Sequence, residues 1–157
     1  MDANGEVRTL RKLMAERRQA ETLRASSPEA SDRLRRVRRR DTPAELRLRS
    51  ALYQRGLRYR IDRRPVPTLR RKADLVFSRA RVAVFVDGCF WHGCPRHMTW
   101  PQANAAWWRQ KIQKNRDRDR DTDRKLRAAG WTVIRLWEHD DPEQAATRVA
   151  DAVSQAS

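Results

Sequence analysis

"ADLVFSRARVAVFVDG", residues 73–88, decides the fold. It holds two β-rich runs, Leu75 to Phe77 and Val82 to Val86, joined by about four polar or small residues. That spacing predicts an antiparallel hairpin. The second run is apolar almost throughout, as in a strand buried on both faces. Upstream, "DTPAELRLRSALYQRG", residues 41–56, predicts a helix. Thr42 is suited to the N-cap, Pro43 to the first helical position and Glu45 to the third, while Gly56 is a natural stop. Leu48 and Leu52 lie four apart and share one face. Between helix and hairpin, "LRYRI" at residues 57–61 reads as a short strand and "RRPVPTLRRK" at residues 63–72 as a basic, proline-interrupted loop. Downstream, residues 104–129 read as a long helix with Asn104 as cap and Gly130 as stop. "WTVIRLW", residues 131–137, reads as a strand, and "HDDPEQAATRVADAV" closes with a helix started at Pro142. Helix, hairpin, helix, strand, helix gives an α/β class with a mixed sheet and helices on both faces.

The totals bound what such a fold does. A chain of 157 residues suits one domain. Hydrophobic residues make up 39% and charged residues 36%, so part of the chain is expected outside the core. Residues 1–30 carry few large apolar groups and read as a basic, mobile arm, which leaves residues 31–157 for the domain. A formal net charge of +16 makes a polyanion the default partner, since each neutralised phosphate releases counterions. "RLRRVRRR", residues 33–40, has six Arg in eight positions and suits phosphate contact. An anionic membrane fits less well, because the basic N-terminal region lacks a wide apolar face. The longest strongly apolar run, "VAVFV" at residues 82–86, is far too short to span a bilayer. "MDANGEVRTLRK" has no apolar stretch of the secretory kind. A cytoplasmic protein is expected, whose two Cys serve as ligands or free thiols rather than a disulfide.

Chemistry concentrates just after the hairpin. Cys89, Cys94 and His97 form C-x4-C-x2-H, three of the four N or S donors a structural zinc takes. The fourth is open between His92, which would make a compact local site, and His139, which would staple the loop to the strand ending at Trp137. The bland alternative is two buried thiols and surface imidazoles. Asp74 and Asp87 lie at the ends of the two hairpin strands that the pairing brings together. Two such carboxylates suit Mg²⁺, and phosphodiester hydrolysis uses such an ion, although Asp also favours strand-end turns on its own account. In the long helix Trp108, Ile112, Asn115, Asp119, Thr122 and Leu126 step by three or four onto one inward face. An inward Asp119 needs a partner, and a His–Asp pair would suit a general base. Glu45 is accounted for by the capping box alone.

"VFVDGCFWHGCPRH", "WWRQKIQKNRDRDRD" and "GWTVIRLWEHD" together resemble the very short patch repair (Vsr) endonucleases, bacterial enzymes that nick DNA beside a T:G mispair left by deamination of 5-methylcytosine. The likeness runs from about residue 32 to 141, and "DGCFWHGC" is its most specific part. It implies a restriction-endonuclease-like three-layer fold, a structural Zn²⁺ and a catalytic Mg²⁺. By position it assigns the metal-binding aspartate to Asp74, the catalytic histidine to His92, the carboxylate orienting it to Asp119 and the active-site glutamate to Glu45. The zinc ligands fall on Cys89, Cys94, His97 and His139, which frees His92. The aromatics wedged into the duplex fall on Phe90, Trp91 and Trp108. Asp87 lies where the family varies and is a further candidate Mg²⁺ ligand. No Lys follows Asp87 at the usual nuclease spacing, which fits a histidine mechanism. The expected partner is mismatched double-stranded DNA in the bacterial cytoplasm, at the nucleoid, met by a monomer with mismatch-repair factors as candidate recruiters. Two other functions would use the same residues: a restriction or defence nuclease with another target, and a zinc-stapled DNA-binding protein without activity.

Overall fold

The computed structural model describes residues 40–156. The expected arm at residues 1–30 lies outside them, as does the basic cluster except for Arg40. The described residues group into two compact units, Trp100–Arg109 and the remainder.

In the larger unit, helix α1 (Pro43–Gln54) begins where the capping residues place it, with Thr42 Oγ1 accepting from the Glu45 amide. It ends in a Schellman turn. Gly56 takes φ +78°, its N–H bonds the Tyr53 carbonyl, and the Leu57 N–H reaches back to Leu52. That last bond explains a shift from expectation. The first strand, β1, runs Arg60–Arg63 rather than over residues 57–61. Leu57 is spent closing the helix, and the Tyr59 hydroxyl donates to the Arg49 carbonyl, so pairing starts only at Arg60, opposite Val76.

Strands β2 (Ala73–Phe77) and β3 (Val82–Asp87) form the expected hairpin, with Leu75 opposite Val84 and Phe77 opposite Val82. Helix α2 (Ala105–Ala128) then crosses over to β4 (Thr132–Trp137), which pairs parallel to β3. Parallel neighbours require a crossover of this kind. Helix α3 (Pro142–Gln155) closes the chain, capped by Asp141, whose carboxylate accepts from the amides of Glu143 and Gln144. The sheet order is β1-β2-β3-β4, with both antiparallel and parallel pairs.

Alternation along the strands separates two apolar layers. Leu75, Phe77, Val82, Val84 and Leu136 pack with Leu48 and Leu52 of α1 and with Ala145, Ala146 and Val149 of α3. On the opposite face Val76, Ala83 and Phe85 pack with Leu126 of α2. The second hairpin strand is thus covered on both sides, as its unbroken apolar run requires. Its last residue, Asp87, opens the turn that carries the site.

Candidate functional site

The turn after β3 winds tightly. Backbone bonds run from His92 N to Gly88 O (3.1 Å), from Cys94 N to Cys89 O (2.8 Å) and from Met98 N to Cys94 O (3.2 Å). Gly93 takes φ +64°, and a Cβ there would come within 2.5 Å of Arg116 Nη2, so only glycine fits. Three side chains from outside grip the turn. Asn115 Nδ2 donates to the Trp91 carbonyl (2.9 Å), and Arg116 donates to the carbonyls of His92 (3.2 Å) and Gly93 (2.5 Å). Glu138 accepts from the Cys89 amide at 2.7 Å.

This winding gathers Cys89, Cys94, His97 and His139, whose donor atoms lie within 4.8 Å of one another. Cys89 Sγ is 3.0 Å from His139 Nδ1 and 4.0 Å from His97 Nδ1; Cys94 Sγ is 3.7 Å from His97 Nδ1 and 3.9 Å from His139 Nδ1. A tetrahedron with zinc's usual bond lengths has S–N edges of roughly 3.6 Å. Two thiols and two imidazoles at these separations fit that ion. Cys94 is further prepared for the thiolate state. Burial opposes its ionisation, but the backbone amides of Arg96 and His97 outweigh it and hold the thiol below its ordinary value.

His92 stands outside that group. Its Nδ1 lies 2.5 Å from Asp119 Oδ2 and 3.7 Å from Asp87 Oδ1. The first is a hydrogen bond and the second is too long for one. With Nδ1 donating to Asp119, the Nε2 lone pair is the one left to take a proton. Desolvation works against the Asp119 charge, yet the hydrogen bond from His92 and the Arg135 guanidinium hold its carboxyl below the usual range. For Asp87 the balance tips the other way. Burial raises its carboxyl, and Arg135, which donates to both of its oxygens, offsets that rise only in part.

Asp74 is not within the Asp87–His92–Asp119 group but is joined to it by charge. Its Oδ2 accepts from the Val86 amide at 2.7 Å. Desolvation, assisted by the negative charges of Glu45 and Asp87, pushes its carboxyl up to about 6. A carboxylate pressed this way by neighbouring acids is a fitting host for a hard divalent cation. Glu45 is 5% exposed and its oxygens are taken up locally, by the Asp41 amide, the Thr42 hydroxyl and Arg49 Nη2, all at 3.0–3.1 Å. The capping box is therefore present, but it closes on Asp41 rather than on the Thr42 amide.

The three expected DNA wedges part company. Phe90 and Trp91 are half-buried and meet edge-on, with ring centroids 5.4 Å apart. Trp108, in the smaller unit, is 8% exposed and packs edge-on against Trp107 at 4.6 Å, so its ring offers little surface here. In the same unit Trp100, which the sequence did not single out, is 45% exposed.

Several known proteins have similar sequences. A family model described as "DNA mismatch endonuclease Vsr" matches residues 26–97. The DNA mismatch endonuclease Vsr of Escherichia coli is 35% identical over 112 residues, 69% of this chain and 68% of that one. The chain belongs to the Vsr family. Other Vsr-like relatives are type II nicking enzymes. V.NaeI of Lentzea aerocolonigenes is 44% identical over 118 residues, 74% of this chain and 71% of its own, and V.XorIIP of Xanthomonas oryzae is 38% identical over 104 residues, 65% and 74%. This Vsr-type chain is accordingly a DNA endonuclease.

Four residues around the turn after β3, Asn115, Arg116, Arg135 and Glu138, were given no role by the sequence, although spacing set Asn115 on the inward face of its helix. One signal was available for Arg135, a single charge inside the apolar run of β4. Parallel register sets it across from Phe85, two positions before Asp87, so it had to meet that carboxylate. The other three bond backbone groups of an irregular turn, and those partners are not located by any spacing rule.

Asp74 has a consequence for stability. Its carboxyl binds a proton more tightly folded, near 6, than at its ordinary 3.8. The stabilisation from that proton is present at low pH and is lost as pH rises from about 4 to about 6, at most about 3 kcal/mol. Without divalent cation, Asp74→Asn should therefore melt above wild type at pH 7, and the gap should close near pH 4. Added Mg²⁺ should raise the wild-type melting temperature but not that of the variant. Equal melting of the two proteins at pH 7 would count against a buried charge at this position.

Proposed function

We propose that the chain is a Mg²⁺-dependent endonuclease that nicks one strand of duplex DNA beside a T:G mispair arising from 5-methylcytosine deamination. The observation that carries this reading is the His92–Asp119 pair, set beside buried acids and apart from the Cys/His group. Nδ1 of His92 is held by Asp119, and Nε2 removes a proton from the attacking water. Asp74 would hold the Mg²⁺. Asp87 is a weaker candidate, because Arg135 engages both its oxygens. When bound, the ion neutralises the scissile phosphate and lowers the pKa of water. Glu45 adds negative charge to the pocket from the first turn of α1. In-line attack leaves a 5′-phosphate and a 3′-hydroxyl. Cys89, Cys94, His97 and His139 would hold a structural Zn²⁺ that keeps the turn in place, within a fold of the restriction-endonuclease kind. Phe90 and Trp91 offer the apolar surface that can enter a base step, which costs least where the pair is already mismatched. Trp108 could join them only after its ring is exposed. The excess of basic residues suits phosphate contact, and no described helix is long and apolar enough to cross a membrane.

A second reading has specific support. The relatives named type II nicking enzymes favour a restriction or defence nuclease of the same fold with another target. One experiment separates the two. Supercoiled plasmid and a panel of short duplexes with T:G, other mispairs or C:G are incubated with Mg²⁺. Nicking confined to T:G, abolished by Asp74→Asn with DNA binding retained, is expected. Equal nicking of paired C:G duplexes would favour the second reading, and no nicking of any duplex would leave a DNA-binding protein only.

A further inference from the structure

Arg135 stands on β4 across the parallel ladder from Phe85, and its guanidinium lies over that ring at 4.6 Å. From there it reaches three carboxylates on two other elements. Nη1 donates to both oxygens of Asp87 at the end of β3, at 2.8 and 3.0 Å. Nε donates to both oxygens of Asp123 on α2, at 2.9 and 3.2 Å. Nη2 faces Asp119, 3.5 Å from Oδ1 and 3.4 Å from the backbone oxygen. A guanidinium presents its donors in a rigid planar fork. Binding Asp87 and Asp123 together therefore fixes where the third donor points.

His92 lies on the other side of the same acids. Its Nδ1 has two acidic neighbours, Asp119 at 2.5 Å and Asp87 at 3.7 Å. Which one it bonds sets the orientation of the ring, and hence the direction of Nε2. Both oxygens of Asp87 are already engaged by Arg135, which weakens Asp87 as an acceptor and holds it back. On Asp119 the imidazole uses Oδ2, while the guanidinium faces Oδ1. The two groups thus share Asp119 without competing for one oxygen.

We propose that Arg135 is the positioning residue that commits His92 to Asp119, by restraining Asp87 and steadying the Asp119 carboxylate between two donors. The proposal rests on the reading of His92 as the general base. Arg135 acts through the carboxylates and touches neither water nor phosphate in this scheme. A lysine could not replace it, because one ammonium cannot span Asp87 and Asp123 at once.

The test uses the zinc-loaded full chain, with histidine ¹⁵N-labelled for NMR, and the duplex that wild type nicks best. Arg135→Gln is expected to nick up to about 100-fold more slowly in single turnover, the loss that a displacement near 1 Å can cause. DNA affinity measured without divalent cation should be unchanged. The deshielded Nδ1 proton of His92 should move upfield or vanish, a change that mere loss of stability would not produce below the melting point. Arg135→Lys should restore neither rate nor signal. A folded Arg135→Gln with wild-type rate and His92 signal overturns the proposal. Should that variant fail to fold, Asp123→Asn decides. It takes the charge from the far anchor of the guanidinium, at the further loss of one long surface pair with Arg127, so slower nicking with a displaced His92 signal supports the proposal, and wild-type values overturn it. A fully active His92→Ala would instead sink the general-base reading itself. A dead His92→Ala beside a fully active Arg135→Gln would sink only the role of Arg135.

Discussion

Replacing His92 with alanine should slow nicking by about 10²–10⁴-fold, the range a positioned general base contributes, while the chain still binds one zinc. The two halves of this expectation come from one geometric fact. The imidazole of His92 bonds Asp119, whereas the four donors close enough together to hold a metal are Cys89, Cys94, His97 and His139. Alanine thus removes the proposed proton acceptor and leaves the Cys/His group whole. DNA affinity should change little, because one half-buried imidazole is a small part of a surface on a chain with net charge +16. Rate is read in single turnover, zinc by metal analysis of the purified protein. Loss of zinc in His92→Ala would mean that the imidazole is a ligand after all. An undiminished rate would mean that some other group takes the proton.

Stripping the proposed structural zinc should have the larger effect on the fold. Structural zinc sites in small peptides contribute about 10–16 kcal/mol of apparent binding free energy, and that energy is folding energy. Here the turn from Gly88 to Met98 has no regular secondary structure, and its interior thiol, Cys94, is 2% exposed. A strong chelator, or Cys94→Ser, should lower the melting temperature by well over the few degrees that 1 kcal/mol moves a domain of this size. Nicking should be lost at temperatures where the sheet still stands, because the same turn carries His92. Readding zinc should restore the chelated wild type but not the variant. Unchanged melting and nicking after metal removal, verified by analysis, would show that the four donors are an ordinary buried cluster.

Much of this was legible in the residues, for identifiable reasons. The hairpin was readable because the turn between Phe77 and Val82 is short and polar and the second run is apolar throughout. Helix α1 was readable because Thr42, Pro43 and Gly56 are local signals that tertiary packing did not override. The inward face of α2 followed from spacing, and Ile112, Asn115, Thr122 and Leu126 are all buried. His92 and His139 were a different matter. Composition left both open as the fourth donor, and only the likeness to a known family chose between them before any geometry was seen. The start of β1 was misjudged because Leu57, though apolar enough for a strand, closes the preceding helix, and Tyr59 reaches back to bond the Arg49 carbonyl within it. Arg135 was passed over because its partners come from β3 and α2, and contacts so far apart in sequence leave no periodic trace. Spacing also placed Trp108 on the inward face, where it is buried, so its assignment as a DNA wedge came from the family likeness and not from the helix pattern.

One stretch of α2 ties several of these threads together. Asn115 and Arg116 hold the backbone of the turn, and Asp119 holds its imidazole. From the first of these to the last the helix rises only about 6 Å. A stiff rod that short moves as a unit, so thermal swaying carries the His92 ring and its anchor along together, and their mutual aim survives excursions of the sheet beneath. Alignment is then lost all at once, when the rod detaches, and not by gradual drift.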